Sequence, residues 1–354
     1  MMRSAIDLIE TGLVPDYVTR KGIRHLLRQR LREQTGDVEA DKEAMQAFIR
    51  DLKQSPIALH SEAANAQHYE VPTEFFKLVL GPRLKYSSCY YPGGDESLDQ
   101  AEEIMLRMSC ERAGLANGQD VLELGCGWGS LTLWMAEQYP ASRITAVSNS
   151  GAQRQHIESE CRSRGIKNVQ VLTRDMNDFA VQHEVAGGYD RVVSVEMFEH
   201  MRNYQLLFRK IAKWLKPDGR LFFHIFSHEQ FAYPFAISGD DDWMARHFFT
   251  GGIMPSDDLM LYFQDDLVVD KHWRMNGRHY GRTSEHWLRR LDSNREKALA
   301  ALVKGAPAHL HGESFNAARQ LQRWRIFFMS CAELFNFDRG RQWGVSHYLF
   351  RPRD

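Results

Sequence analysis

The stretch Val121 to Gly129, reading VLELGCGWG, limits what this chain can become more than any other segment. A short apolar run breaks into Gly125, Gly127 and Gly129, and from Ser130 onward Leu131, Leu133, Trp134 and Ala136 recur with helical spacing. The pattern is a strand, a tight turn and a helix. The glycines permit positive φ and let a ligand meet bare backbone, and the helix N-terminus that follows offers unpaired N–H groups to a polar ligand end.

The glycines run G-x-G-x-G, with Glu123 two residues before the first, and so depart from the dinucleotide fingerprint G-x-G-x-x-G. This spacing suits S-adenosylmethionine, whose amino acid end carries an ammonium for Glu123 to meet. By itself the turn fits a plain strand-to-helix connection as well, and the segments that follow decide. From Leu115 to Ser227, strand patterns at 121–124, 143–147, 169–172, 191–195 and 221–226 alternate with helical ones at 130 onward, 151–164 and 204–215. That alternation predicts a doubly wound parallel α/β sheet. Its ligand lies beyond the carboxyl ends of the strands, at Gly125, Ser148–Asn149, Arg174–Asp175, Glu196 and His224.

The rest of the chain frames this unit. At 354 residues, 43% hydrophobic and 26% charged, it can bury a full core, and its net charge of −1 gives no global reason for a nucleic acid partner. Five scattered cysteines suggest neither a disulfide framework nor a metal site, which points to a reduced, cytoplasmic protein. There is no apolar run of about 18 residues to span a membrane. Residues 1–62 read as a helical N-terminal cap, in which Ile23, Leu26, Leu27 and Leu31 share one face of a basic helix. Such a helix packs on the catalytic domain or lies on an anionic membrane, and the small apolar face favours packing. After Ser227 an aromatic, glycine-punctuated insertion reads as a lid, with bounds of about 228–285, and the tail reads as one more strand at 268–274, helices through 291–335 and a last strand at 345–350. A homodimer is compatible with this composition.

The end of the second strand, VSNS, lacks the acid that commonly grips a ribose, so Asn149 and Gln153 are the groups at hand. Asp175, with Met176 beside it, is placed to take the adenine amino group, although a turn or N-cap aspartate fits its position equally well. The most informative segment is VVSVEMFEHM, where Glu196, Glu199 and His200 follow an apolar strand and crowd the mouth of the expected pocket.

Together LELGCGWGS, SNSGAQRQ, EMFEHM, FFTGGIMPS, YFQDD and CAELF resemble the family that joins cyclopropane fatty acyl phospholipid synthases, mycolic acid cyclopropane synthases and plant coclaurine-type N-methyltransferases. QHYEVPTEFFKLVLG and LKYSS resemble the N-methyltransferase branch in most detail, across about residues 63–350. The resemblance implies a class I, Rossmann-like methyltransferase domain over 63–354. It places Tyr86, Ser87, Gly125, Gly127, Asn149, Gln153, Asp175 and Met176 on S-adenosylmethionine, and Glu196, Glu199 and His200 in catalysis.

The lipid cyclopropane synthases resemble one another in holding bicarbonate with a Cys, a Glu, a His and a Tyr. In this chain Ser88 and Phe327 fall at the Cys and Tyr positions, whereas Glu199 and His224 match. An anion site lacking two ligands gives way to a wall of Phe226, Trp324 and Phe327, which suits a small aromatic or alkaloid-like amine through apolar burial and cation–π attraction, with Tyr69 on a polar substrate group. The expected activity is amine N-methylation without metal or bicarbonate. A cyclopropane synthase is the enzymatic alternative and a non-catalytic ligand carrier the remote one.

Overall fold

A computed structural model describes residues 5–34, 36–59, 71–180, 187–236, 242–305 and 316–353. Tyr69, and with it the expectation that it touches substrate, lies outside the described residues. The chain opens with helices α1 (Ala5–Glu10), α2 (Asp16–Gln34) and α3 (Val38–Gln54), followed by α4 (Thr73–Val79) and α5 (Leu98–Ala113). α5 is bounded by a capping box of Ser97 with Gln100 and by Gly114 in the left-handed conformation.

β1 (Asp120–Leu124), α6 (Ser130–Gln138), β2 (Arg143–Ser148), α7 (Gly151–Arg164), β3 (Val169–Thr173), β4 (Tyr189–Val195), α8 (Tyr204–Trp214) and β5 (Leu215–His228) then alternate as the periodicity predicts. A single seven-stranded sheet results, in the order β3-β2-β1-β4-β5-β9-β8. β1 to β5 are parallel; β9 (Trp343–Pro352) runs antiparallel to β5, and β8 (Leu267–Met275), antiparallel to β9, points the same way as β1 to β5. Alternate residues feed opposite faces, as the pleat requires. Val121, Val193, Phe222 and Leu349 pack under α5 and α6, whereas Leu122, Val192, Phe223 and Phe350 pack under α8 and α3.

The remaining helices, α9 (Trp243–His247), α10 (Arg278–Ser293), α11 (Arg295–Gly305) and α12 (Ala317–Asn336), form with α4 and α2 a second, aromatic-rich core. Part of the basic face of α2 is occupied by protein: Arg20 pairs with Glu285 and Glu333, and Arg24 with Glu333. Ile23, Leu27 and Leu31 pack on the core as expected, but Leu26 is 43% exposed, because it lies at the margin of the buried stripe. Among the described residues no helix is long and apolar enough to cross a membrane.

The strand expected at 268–274 is present, and it makes the insertion shorter than the bounds 228–285. Residues 267–275 are β8, hydrogen-bonded to β9 in the main sheet, and 278–293 are α10, so the bound near 285 runs too far. The reason is that this strand and helix bury faces of their own in the two cores. What remains, from His228 to about Phe263, is clasped by β6 (Tyr233–Pro234) pairing with β7 (Ile253–Met254). Its helix α9 is tied to the N-terminal cap by Trp243, whose Nε1 donates to Glu10 at 2.7 Å.

Candidate active site

The carboxyl ends of β1, β2 and β4 and the underside of the insertion enclose one cleft with two compartments, which share Gly125, Gly127, Gln153 and His200. Gly125, Gly127 and Gly129 all take positive φ. A side chain at Gly125 would come within 2.5 Å of Met197, whereas Gly127, at φ +52°, has nothing within 4 Å of its missing Cβ and opens onto the cleft.

Ser148, Asn149, Gln153, Asp175 and Met176 line the first compartment, as the sequence predicts. Gln153 is almost fully buried; its Oε1 accepts from Ser148 Oγ at 2.6 Å, and among the described residues its Nε2 has no partner. Asp175 has the turn role its position allows, its Oδ1 accepting the Asn177 N–H at 2.8 Å, and it also faces the cleft. At the junction Glu123 is buried under the glycine turn, where burial pushes its pKa up to about 8 against a single donor, Thr132 Oγ1 at 2.5 Å. A carboxyl so placed is short of a cation, and an orphaned amide and an open glycine stand beside it. These features fit an adenosyl amino acid ligand with a positively charged end.

Tyr86, Phe226, Phe235, Met244, Phe249, Tyr280, Phe327 and Phe335 wall the second compartment, with Lys85, Ser87, Glu123, Gln153, Glu196 and His200 among its polar groups. Trp324 is a correction: it does not line the cleft but is wholly buried behind it, packed on Phe327 and Phe248 at ring distances of 5.7 and 5.1 Å. Its place in α12, three residues before Phe327, turns it toward the core.

Glu196 sits one residue past β4 with φ +48°, a conformation that a non-glycine residue adopts only when its surroundings hold it there. Three donors do so. Its Oε1 accepts the Ser88 N–H at 2.9 Å and faces His224 Nε2 at 3.0 Å, and its Oε2 accepts Tyr280 OH at 2.6 Å. Burial raises its pKa to about 7, opposed by the Lys85 charge, the Ser88 N–H and Tyr280. Lys85 is itself buried, with Nζ donating to Ser87 Oγ and Ser88 O at 2.6 and 2.7 Å.

Glu199 is fully buried and does not line the cleft; its Oε1 accepts the Phe226 N–H at 2.7 Å, and its Oε2 has no partner among the described residues. Burial and the Glu196 charge push its pKa well up. His200 does face the cleft, its ring stacked on Phe249. Lys85 and Tyr280 were missed by reasoning from sequence. Lys85 lies inside the quoted LKYSS, but Tyr280 is 84 positions from the glutamate it touches and stands in no motif.

A family model described as mycolic acid cyclopropane synthetase matches residues 58–339. (S)-coclaurine N-methyltransferase from Thalictrum flavum subsp. glaucum is 42% identical over 98% of this chain and 94% of its own length. The enzyme so named from Papaver somniferum is 35% identical over 98% and 97%. The crystal structure of a coclaurine N-methyltransferase bound to N-methylheliamine and SAH superposes with a TM-score of 0.90 at 39% identity, covering 98% of both chains. The chain therefore belongs to the mycolic acid cyclopropane synthetase family, as one of its S-adenosylmethionine-dependent N-methyltransferases.

Proposed function

We propose that the methyl acceptor is the nitrogen of a small aromatic amine of the alkaloid type, held in the second compartment while S-adenosylmethionine occupies the first and extends its amino acid end past Gly125 and Gly127 into the second. The observation that carries this reading is the second compartment itself, an aromatic box with Glu196, His200 and Lys85 among its polar groups. Rings of Phe226, Phe327 and Tyr86 offer apolar burial and cation–π faces to a protonated amine. The relatives support it, since they carry alkaloid N-methyltransferase names.

Bound S-adenosylmethionine supplies a methyl group already activated on a sulfonium. What the chain must add is placement of the amine lone pair, removal of its proton and exclusion of water. Glu196 is the carboxylate that meets the ammonium, and His200 takes its proton. Glu199 holds the Phe226 backbone that carries one wall. Asn149 and Gln153 serve the ribose, Asp175 and Met176 the adenine, and Glu123 with Tyr86, Ser87, Gly125 and Gly127 the amino acid end.

We also read residues 1–62 as a cap on a methyltransferase domain of 63–354, active as a homodimer in the cytoplasm; five buried free thiols support a reducing setting. Light scattering tests the dimer. His200→Ala tests the proton transfer: turnover at pH 7 falls by about 10²-fold or more, with a smaller deficit at pH 9 where free amine is commoner. Unchanged turnover across that range would end the role of His200 as base.

A further inference from the structure

Arg112, on α5, is half-buried with its guanidinium 4.9 Å from the centroid of the Trp273 ring. No carboxylate contributes to its environment among the described residues, and burial lowers its pKa. A cation removed from water without a counter-charge is costly, and nothing in the proposed chemistry uses this one. Its polar contacts run inward, from Nη1 to His347 Nδ1 at 2.8 Å and to Met275 Sδ at 3.4 Å.

His347 stands directly opposite His224 across β9 and β5, with its Nε2 3.0 Å from His224 Nδ1. His224 Nε2 in turn lies 3.0 Å from Glu196 Oε1. The four groups thus form an unbroken hydrogen-bonded row from α5, across two strands, to the cleft. The row has only one sense. A guanidinium has no lone pair, so His347 Nδ1 must accept. A neutral ring that accepts at Nδ1 carries its hydrogen on Nε2 and donates it to His224 Nδ1, and the same step delivers His224 Nε2–H to Glu196. Burial keeps both imidazole pKa values far below the ordinary, which leaves the rings neutral. In the reverse sense, with the proton on Glu196 Oε1, an N–H of His347 would point at an N–H of Arg112.

We propose that Arg112 and His347 are positioning residues which lock His224 in its Nε2–H tautomer and so hold Glu196 as an ionised acceptor at the cleft. The inference rests on the reading of Glu196 as the carboxylate that meets the ammonium. Glu196 is faced by Lys85 and Cys89 from the segment before α5, His224 from β5, Tyr280 from α10, Cys331 from α12 and Glu199 on its own segment. His347 is faced in addition by His272 of β8. Of these links, only the histidine row connects Glu196 to Arg112.

The test is ¹⁵N NMR of histidine-labelled resting enzyme at pH 7, with His224→Gln and His347→Gln assigning the two rings. Both should be neutral with the hydrogen on Nε2. Arg112→Met keeps a stem over Trp273 but loses the donor, so both rings should lose their single tautomer. The acid limb of kcat/KM should then rise by about one pH unit, a loss of about tenfold at pH 6 that shrinks above pH 8, with cofactor affinity unchanged. Arg112→Lys, which keeps a donor cation, should restore most of it. An Nδ1–H or doubly protonated ring at either position in the wild type overturns the proposal, as do wild-type tautomers and pH profile in Arg112→Met. The tautomers are read without substrate, so a wild-type enzyme that methylates no amine would sink the proposed function and leave this measurement standing.

Discussion

Phe249 lies flat on His200, with ring centroids 4.4 Å apart and planes 27° from parallel. The insertion therefore supplies one face of the imidazole that the sheet presents, and Phe249 is itself braced by Phe235 at 4.9 Å and Phe226 at 5.4 Å. Phe249→Ala should let the imidazole turn and admit water, lowering kcat/KM for an amine about 10- to 100-fold while cofactor affinity changes less than about twofold. Steady-state kinetics beside calorimetric titration of the cofactor checks both halves.

At Gly127 the backbone is left-handed and the place of a side chain is open cleft. Gly127→Val should weaken S-adenosylmethionine and its demethylated product by more than about 100-fold, at a stability cost of only about 1–2 kcal/mol, because no packed contact is lost. Calorimetry and a thermal melt separate ligand exclusion from unfolding, and wild-type affinity in this variant would remove the cofactor from the glycine turn.

Glu10 joins the cap, α12 and the insertion, accepting from Arg323, Trp243 and Arg319. Burial alone would raise its pKa, but these donors win and hold it at about 2, below the ordinary 4.5. The sign follows: the folded value is depressed, so the stabilisation is present in full above pH 4.5 and drains away as pH falls toward 2. Glu10→Gln should cost on the order of 2 kcal/mol at pH 7 and flatten the acid slope of stability in that window. Denaturant melts of both proteins at stepwise pH measure the difference.

Glu196 titrates the other way. With its pKa raised to about 7, the carboxylate that meets the ammonium becomes populated as pH rises through neutrality, so wild-type kcat/KM should have its acid limb there. Glu196→Gln should remove that limb and lower turnover by about 10²-fold or more. Degassing or a chelator should leave the wild-type rate unchanged; recovery of a lost rate by bicarbonate would contradict the reading of Ser88 and Phe327.

Much of this was legible in the sequence wherever the signal is local. The run from VLELGCGWGS to VVSVEMFEHM places β1, α6, β2, α7, β3 and β4 within a residue or two, because a buried parallel strand followed by glycine and an amphipathic helix leaves its period in consecutive residues. Asn149, Gln153, Asp175 and His200 reach the cleft for the same reason, standing just past strand ends or in the first turn that follows. What failed was long-range or a matter of facing. The strand pattern at 268–274 is borne out as β8, but nothing in the composition of 267–285 tells whether it belongs to the insertion or to the main sheet, since only pairing with β9, some 75 residues on, decides it. Trp324 and Phe327 share a helix, and which of them meets the cleft depends on where the core behind it lies. The row from Arg112 to Glu196 joins residues 112, 347, 224 and 196, and no spacing could announce it.

The account stands or falls on where the methyl group goes. The direct measurement is transfer from methyl-labelled S-adenosylmethionine to a panel of primary, secondary and tertiary aromatic amines, alongside vesicles of unsaturated phospholipid, with products resolved by mass spectrometry. The account predicts label on the nitrogen of at least one small aromatic amine, saturable and lost in Glu196→Gln, and none in lipid. Label in the acyl chains of the vesicles, with every amine unmodified, would contradict it.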